Sequence, residues 1–303
     1  MRQSWLLPVL AAAGCLLLSS HAAQAIINAD NTTSTTPDNT SAPLLPPASD
    51  WNNVGRVNGG SGIYLGDSWV LTADHVGAGN INFDGTTYDW NGQPEIRLKN
   101  PDGTVADLVM FKLTAPPTGL LSLTVANTSP TLATPFYNVG YGVARNTAEE
   151  YYNYDSSTQT FTPTNTPSSA SYGGFGYGST YTKSWGQNTV AGTTTYNLGY
   201  GEVNAFYSTF TNIRVQTGTP DQIVSGDSGG GVFNSLGQLI GVNDAMGAFK
   251  NQPASTVLFG NQSDIIDIAP FYSQITSTVP EPASLLVLLC GLSALGLRRR
   301  LAR

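Results

Sequence analysis

A serine in a glycine-rich stretch is the first residue of this chain that could carry out chemistry. Ser228 lies in SGDSGG, residues 225–230, where the glycines would allow a substrate to come close to the backbone. A serine hydroxyl is a weak nucleophile at neutral pH unless a base lies within hydrogen-bond reach and a third group orients that base. The chain must therefore supply both groups from elsewhere.

His75 is the candidate for that base. The sequence contains two histidines, and His21 lies in an N-terminal segment that we expect to be removed. His75 follows WVLTAD, residues 69–74, a run typical of a strand that ends in a loop. Because a single histidine more often has a structural role, this interpretation depends on Ser228.

Asp107 is the best candidate for the orienting acid. It stands near the start of the apolar run ADLVMFKL, residues 106–113, and a carboxylate buried beside such a strand needs a partner such as a histidine N–H. Asp84, Asp89 and Asp102 are poorer candidates, because each lies in or beside a turn signal, where an aspartate usually bonds to its own backbone.

The order His75, Asp107, Ser228 argues against two other hydrolase classes. An α/β-hydrolase needs its histidine after the serine, and none follows Ser228. A subtilisin-like order could use Asp67 as the acid, but that fold alternates strands with helices. Here short β-branched and aromatic runs alternate with turn pairs, and no stretch has a clear helical period. The body is therefore predicted to be all-β.

The N-terminal end has the composition of a targeting segment. Residues 1–25 contain an arginine, an apolar stretch and a final Ala-Gln-Ala, which predicts a cleavable signal peptide. Residues 26–50, rich in Asn, Thr, Ser and Pro, are predicted to be a linker. Both cysteines lie in the terminal segments, so the predicted folded domain, residues 51–275, depends on an apolar core without a disulfide.

The C-terminal end, residues 279–303, contains Val-Pro-Glu-Pro, an apolar block and three consecutive arginines. This order resembles the PEP-CTERM sorting signal of Gram-negative bacteria. The resemblance implies one membrane-spanning stretch, an exosortase-type processing enzyme as a partner and transient membrane contact. It also implies export to the cell envelope, or to the surface and medium after the segment is removed.

The charge balance argues against a nucleic-acid partner. The chain has 13 basic and 20 acidic residues, for a net charge of −7. Arginines are concentrated in the terminal segments, so the domain between them is more acidic still, whereas a phosphate backbone needs a basic surface.

One stretch departs from the strand pattern. Residues 149–178 are rich in Tyr, Ser, Thr and Gly and have almost no aliphatic residue, which predicts a long surface insertion. Its tyrosines could stack on sugars, but a tolerated loop of biased composition is the favoured interpretation.

The motifs around the three candidate residues resemble those of the chymotrypsin-like (trypsin-like) serine proteases. LTADH (71–75), ADLVMFKL (106–113) and GDSGG (226–230) are similar to the family's histidine, acid and nucleophile motifs, and VGYG (139–142) is similar to its G-W-G turn. The resemblance covers residues 61–247. It implies two antiparallel six-stranded β-barrels with the active site in the cleft between them, and endopeptidase activity on a polypeptide without a cofactor or metal.

Further site residues follow from the resemblance. Gly226 and Ser228 would donate backbone N–H groups to an oxyanion hole. Gln222 would form the floor of the specificity pocket and Met246 its wall, which predicts cleavage after small or medium uncharged residues. Asp244, also assigned to the substrate-binding region, stands where the family usually has a serine that bonds the triad acid.

The acid before the nucleophile, Asp227, needs a partner. In family members activated by cleavage, the new N-terminus is buried against this acid. RVNGG, residues 56–60, is similar to such a cleavage site, but Val57 lies too close to His75 for the strands that separate them in those members. Arg145 is therefore the predicted partner of Asp227.

Two alternatives to an exported endopeptidase stay open on the sequence alone. One is a catalytically inactive protease-like adhesin or matrix-binding protein, and the other is an esterase that uses the same triad. The presence of all three triad residue types favours an enzyme.

Overall fold

A computed structural model describes residues 26–29, 48–212 and 220–279. The predicted signal peptide, residues 30–47 of the predicted linker and the predicted sorting segment beyond Val279 lie outside the described residues. Within the described ranges, no helix is long and apolar enough to cross a membrane. The α-helices there are short, with α1 at Ala48–Asn52 and α2 at Tyr272–Thr278.

Short β-strands make up most of the regular structure. In chain order they are β1 (Ile27–Asn28), β2 (Val54–Val57), β3 (Gly60–Gly66), β4 (Trp69–Thr72), β5 (Ile81–Phe83), β6 (Thr86–Tyr88), β7 (Glu95–Lys99), β8 (Val105–Lys112), β9 (Pro135–Gly140), β10 (Val143–Asp155), β11 (Thr160–Pro163), β12 (Tyr172–Tyr181), β13 (Ser184–Thr189), β14 (Gly192–Asn197), β15 (Glu202–Thr209), β16 (Asp221–Gln222), β17 (Gly231–Phe233), β18 (Leu239–Gly247), β19 (Thr256–Leu258) and β20 (Gln262–Asp267).

Two antiparallel sheets form the body of the domain. The N-terminal sheet has the order β6-β5-β2-β3-β4-β8-β7, and the C-terminal sheet has the order β13-β9-β17-β18-β20-β15-β14. The predicted all-β, antiparallel class is confirmed, although each of these sheets has seven strands where six were expected.

One apolar core joins the two sheets. It contains Val54, Ile63 and Leu71 from the N-terminal sheet and Phe233 and Ile266 from the C-terminal sheet, all at most 1% exposed. Burial of such side chains contributes roughly 1.5–3 kcal/mol each, so the shared core holds the two sheets against each other.

The register of β4 and β8 determines where the candidate base and acid meet. The two strands are antiparallel neighbours with Thr72 opposite Val109, so the end of β4 lies beside the start of β8. His75 comes shortly after the end of β4, and Asp107 lies near the start of β8. Strand pairing alone therefore brings the two residues together.

The segment predicted as a surface insertion, residues 149–178, belongs instead to a third sheet with the order β11-β10-β12-β19. Tyr154 pairs with Phe161, and Tyr152 pairs with Tyr172. The rings of Tyr154 and Phe161 lie 4.8 Å apart, centroid to centroid. Cross-strand aromatic pairs stabilise strands without aliphatic residues, which explains why this composition forms a sheet.

The first described residues also differ from the predicted linker. β1 pairs with β16, with Ile27 opposite Gln222, and the residues from Ile26 to Ala29 are at most 3% exposed. Two consecutive isoleucines account for the difference, because their burial is favourable and the rest of the predicted linker has few large apolar residues. The backbone N–H of Ile26 donates to Ser184 Oγ.

Candidate active site

His75 and Asp107 make two hydrogen bonds. Nδ1 of His75 lies 2.9 Å from Oδ2 of Asp107, and the backbone N–H of His75 donates to Oδ1 at 2.9 Å. The side chain of Asp107 is 1% exposed, whereas that of His75 is 22% exposed. This arrangement keeps the proton of neutral His75 on Nδ1 and leaves Nε2 as the basic nitrogen.

Ser228 lies in a tight turn that both sheets hold in place. The N–H of the next residue, Gly229, donates to the carbonyl of Asn243 in the C-terminal sheet at 2.7 Å. From the N-terminal sheet, Ser61 donates its N–H to the Ser228 carbonyl and its hydroxyl to the Gly226 carbonyl, each at 2.8 Å. The position of the nucleophile loop therefore depends on both sheets.

The turn presents two backbone donors. Gly226 has a φ of +95°, a conformation that favours glycine, and an added Cβ would lie 2.6 Å from the Tyr181 ring and 2.7 Å from the Tyr141 carbonyl oxygen. Among the described residues, none accepts a hydrogen bond from the N–H of Gly226 or Ser228. Two such N–H groups on one turn can bind a negatively charged oxygen.

Asp244 links the serine to the histidine. The Ser228 hydroxyl donates to the backbone carbonyl of Asp244 at 2.9 Å, and Oδ1 of Asp244 lies 3.5 Å from Nδ1 of His75. Oδ2 of Asp244 accepts the hydroxyl of Tyr196 at 2.5 Å. The structure thus brings His75, Asp107 and Ser228 to one site, where the carboxyl group of Asp244, predicted in the substrate-binding region, faces the acid and the base.

The charged groups that act on His75 are mainly negative. Burial alone would lower the pKa of His75, but the hydrogen bond and charge of Asp107, followed by the charges of Asp244 and Asp74, raise it. Burial raises the pKa of Asp244 to about 7. Asp74 is paired with Arg97 at 2.6 Å. The site therefore has more carboxyl groups than one imidazolium can neutralise. The expectation from the sequence that the site works without a metal stays a prediction.

The two predicted pocket residues lie in the C-terminal half of the chain. Gln222 is fully buried, and its Nε2 donates to the carbonyls of Ile223 at 3.1 Å and Gln262 at 2.8 Å. Met246, on β18, is partly buried against an apolar cluster that includes Phe175. The roles of Gln222 and Met246 in substrate selection stay predictions.

Asp227 is fully buried behind the nucleophile. The backbone N–H of Val224 donates to its Oδ2 at 2.9 Å, and burial raises its pKa to about 8. Arg145, the partner predicted from the sequence, places its guanidinium over the Phe175 ring at 4.1 Å. The backbone N–H of Gly142 also interacts with this carboxyl group and lowers its pKa, although by less than burial raises it. Among the described residues no donor makes a well-aligned hydrogen bond to Oδ1 of Asp227, so this buried oxygen can take a further donor.

Sequence reasoning missed Ser61, Tyr196 and Tyr200. Ser61 and Tyr196 make the hydrogen bonds given above, and the ring of Tyr200 lies 5.6 Å from the imidazole of His75, centroid to centroid. These contacts join segments that are far apart in the chain, and contacts of that kind leave no local pattern of composition or spacing.

Comparison with known proteins gives one family match. A family model described as Trypsin matches residues 46–260, more than two thirds of the chain. No curated protein matches the sequence.

Several solved structures are similar. Rv3671c protease of M. tuberculosis H37Rv, in an inactive form, is 12% identical with a TM-score of 0.44, covering 83% of this chain and 100% of that chain. Neuropsin, a serine protease expressed in mouse brain, is 12% identical with a TM-score of 0.44, covering 76% and 95%. HBP is 14% identical with a TM-score of 0.47, covering 78% and 96%.

Proposed function

This chain belongs to the trypsin family, and we propose that it is an exported serine endopeptidase with His75, Asp107 and Ser228 as its catalytic triad. The observation that carries the proposal is the pair of hydrogen bonds between His75 and Asp107, each 2.9 Å long. Ser228 is connected to this pair through Asp244, whose backbone carbonyl accepts the serine hydroxyl and whose carboxyl group lies 3.5 Å from Nδ1 of His75. These are the groups that activate a serine hydroxyl.

His75 acts as the general base in this proposal. Its Nε2 accepts the proton of Ser228 Oγ as the oxygen attacks the carbonyl carbon of the peptide bond, and the imidazolium then returns the proton to the leaving amine. Asp107 holds the Nδ1–H tautomer and stabilises the imidazolium. The hydrogen bond from Ser228 to the Asp244 carbonyl is the resting arrangement, which the serine leaves when it turns toward His75.

The backbone N–H groups of Gly226 and Ser228 form the oxyanion hole. They stabilise the negative charge that develops on the carbonyl oxygen in the transition state. One such donor contributes about 3 kcal/mol to lowering the barrier, so the geometry of the glycine turn is part of the catalytic machinery.

Hydrolysis of a peptide library by the wild type, Ser228→Ala and His75→Ala tests the proposal. We expect each variant to lose about 10⁴-fold or more in kcat, because the three groups act as a unit. Equal melting temperatures establish that the fold is intact. An inactive adhesin would cleave no substrate in any form, and an esterase would cleave short esters but not peptides; either result would replace the proposal.

The substrate is proposed to have a small or medium uncharged residue before the cleaved bond. A neutral amide at Gln222 cannot compensate for the desolvation of a guanidinium or ammonium group. The neighbouring carboxylate, Asp221, is fully buried and accepts hydrogen bonds from Asn138 at 2.9 Å and Asn188 at 3.2 Å. Gln222 is buried in the same way, with its Nε2 bonded to two backbone carbonyls, so neither residue offers a free negative charge to a basic side chain. Strong selection for Arg or Lys in the same library would contradict this specificity.

Export is proposed from the two targeting segments. Cleavage after Ala25 would remove the signal peptide, and an exosortase-type enzyme would remove the C-terminal segment after its transient contact with the membrane. The mature enzyme would then act at the cell envelope, on the cell surface or in the medium.

Signal removal would also give Asp227 a partner. The backbone nitrogen of Ile26 contacts Ser184 Oγ, Ser184 lies opposite Gly140, and a Cβ added at Gly140 would lie 2.4 Å from Oδ1 of Asp227. Cleavage before Ile26 would turn this nitrogen into a charged α-amino group, which we propose to pair with the Asp227 carboxyl group. In this proposal, removal of the signal peptide supplies the buried N-terminus, and no cleavage at Val57 is needed.

A further inference from the structure

The strand that carries Asp244 contains one extra residue. In the pairing of β18 with β20, Asn243 lies opposite Ile265 and Ala245 lies opposite Asp264, so Asp244 is the additional residue of a β-bulge. Bulges occur next to active sites, where they redirect side chains. Asp244 is 3% exposed and lies at the end of the part of β18, from Leu239 to Asp244, that is buried throughout.

This bulge brings a second acid to the histidine. A carboxylate oxygen from each of Asp107 and Asp244 and a ring nitrogen of His75 lie within 4.8 Å of one another. Asp107 is the nearer acid, at 2.9 Å from Nδ1, and Asp244 follows at 3.5 Å. Two carboxyl groups therefore face the same ring nitrogen.

The other charged and titratable groups nearby do not balance this second acid. Tyr196 donates its hydroxyl to Asp244, and its pKa is raised by burial and by the surrounding carboxylates, so it stays a neutral donor. Asp264 acts on Tyr196, and Asp74 acts on His75, each as a further negative charge. Arg97 pairs with Asp74 and is 59% exposed. Two adjacent buried carboxylates without a cation are unfavourable, and sharing one proton removes the repulsion.

We propose that Asp244 is a second positioning acid for His75 and shares one proton with Asp107 in the resting protein. Protonated Asp244 donates to Asp107, so the pair carries one negative charge, and that charge orients the Nδ1–H of His75. When Asp244 releases its proton to solvent, the pair carries two negative charges and His75 holds its own proton more tightly. The ionisation of Asp244 therefore changes the pH at which the His75 imidazolium loses its proton and can act as a base. This consequence for catalysis rests on the proposed function.

The imidazole of His75 can be observed directly. His21 leaves with the predicted signal peptide, so the mature protein has a single histidine. NMR titration of its ring signals in a Ser228→Ala background measures His75 in a protein that cannot digest itself. This measurement does not require activity, so proton sharing can be tested separately from the proposed function.

Asp244→Asn removes the ionisable group and keeps a neutral hydrogen-bond donor. We expect the midpoint of the His75 titration to fall by about one pH unit or more, because the ionised form of Asp244, which stabilises the imidazolium, can no longer form. In the enzyme that retains Ser228, the pH at which kcat/KM falls on the acid side of its profile should also shift to a lower value. Tyr196→Phe removes a donor that favours ionised Asp244, so it lowers the midpoint by a smaller amount and gives a second test if Asp244→Asn does not fold.

Asp267→Asn is the matched control, because it changes an acid on the neighbouring strand β20 whose partners are Ser129 and the backbone of Ala269. It should leave the His75 midpoint unchanged. An unchanged midpoint in Asp244→Asn, or an equal shift in Asp267→Asn, would overturn the proposal. The expected shifts in a protein that hydrolyses no peptide would refute the proposed function and support the proton sharing.

Discussion

At the scale of single residues, Asp107 is the acid that bonds to His75, and Asp102 is not. Asp107 accepts both the backbone N–H and Nδ1 of His75, whereas Asp102 accepts the N–H and hydroxyl of Thr104 in an exposed turn. Asp102 therefore bonds within its own turn, as the sequence predicted. Asp84 differs from that prediction, because its carboxylate accepts hydrogen bonds from Lys183 Nζ at 3.2 Å and from the Tyr141 hydroxyl at 3.1 Å.

Asp107→Asn should leave the fold intact and lower kcat by about 10⁴-fold. The asparagine amide would donate to Nδ1, so the proton of neutral His75 would move to Nε2 and the ring could no longer accept the serine proton. Steady-state hydrolysis of a peptide amide measures the loss. Asp102→Asn is the control, and a similar loss in that variant would show that the acid was chosen incorrectly.

The orientation of Asp244 toward His75 could not be predicted from the sequence. The sequence placed an acid near Asp107, but the one-residue bulge that turns Asp244 toward His75 depends on how β18 pairs with β20. The partner hydroxyl comes from Tyr196 on β14, far from Asp107 in the chain. Neither the register of two strands nor a contact between distant strands is encoded in local composition.

The nucleophile loop is the element whose conformation matters most. Gly226→Ala should lower kcat by about 100-fold or more, because a Cβ at a φ of +95° would collide with Tyr181 and the Tyr141 carbonyl and displace the oxyanion donors. Gly103→Ala is the matched control, since Gly103 has a φ of +88° and its Cβ would have open space. Both substitutions strain the backbone by about 1 kcal/mol, so both should lower the melting temperature.

The activities of these two glycine variants can then be compared at the same residual stability. If Gly226→Ala is as active as Gly103→Ala, the conformation of the turn is not required for catalysis. Equal losses in both variants would indicate a general effect of strain.

Elements were predictable to different degrees. Apolar runs such as β4 and β8 predicted strands, because burial on both faces requires continuous apolar residues. The third sheet was missed because residues 149–178, which supply most of it, are held by cross-strand aromatic pairs such as Tyr154 with Phe161. The aliphatic residues of this sheet, Val143, Val257 and Leu258, lie outside that stretch of the sequence. Tyrosine and glycine in a low-aliphatic stretch are compatible with a loop and with a paired strand, and only the pairing separates the two.

At the scale of the whole molecule, the two large sheets meet at the nucleophile. Ser61, on β3 of the N-terminal sheet, bonds to the carbonyls of both Gly226 and Ser228, and the shared apolar core lies between the sheets. The candidate site therefore exists only in the complete domain. This dependence explains why the motifs indicated the residues, but the sequence alone could not show how the loop is held.

The maturation proposal predicts both ends of the exported protein. Intact-mass analysis of protein from the native host should give an N-terminus at Ile26 and a chain that lacks Arg303. A protein that begins at Val57, or one that retains Arg303, would contradict the proposed processing.

The charge of the new N-terminus can be tested separately. A protein that begins at Ile26 should be more active and more stable than one that retains Ala25, because the α-amino group then pairs with the buried carboxylate of Asp227. In an Asp227→Asn background the two forms should not differ in stability. A stability difference that persists there would assign the effect to another group.

Labelling with an active-site serine reagent, followed by peptide mapping, tests the central claim most directly. An organophosphorus reagent of this kind reacts rapidly with a serine only where a base activates the hydroxyl and backbone donors stabilise the new negative charge. We predict that the wild-type protein is modified at Ser228 and that His75→Ala is not modified at a comparable rate. Absence of labelling in the wild type, or equal labelling of Ser228 in His75→Ala, would contradict the assignment of a serine peptidase.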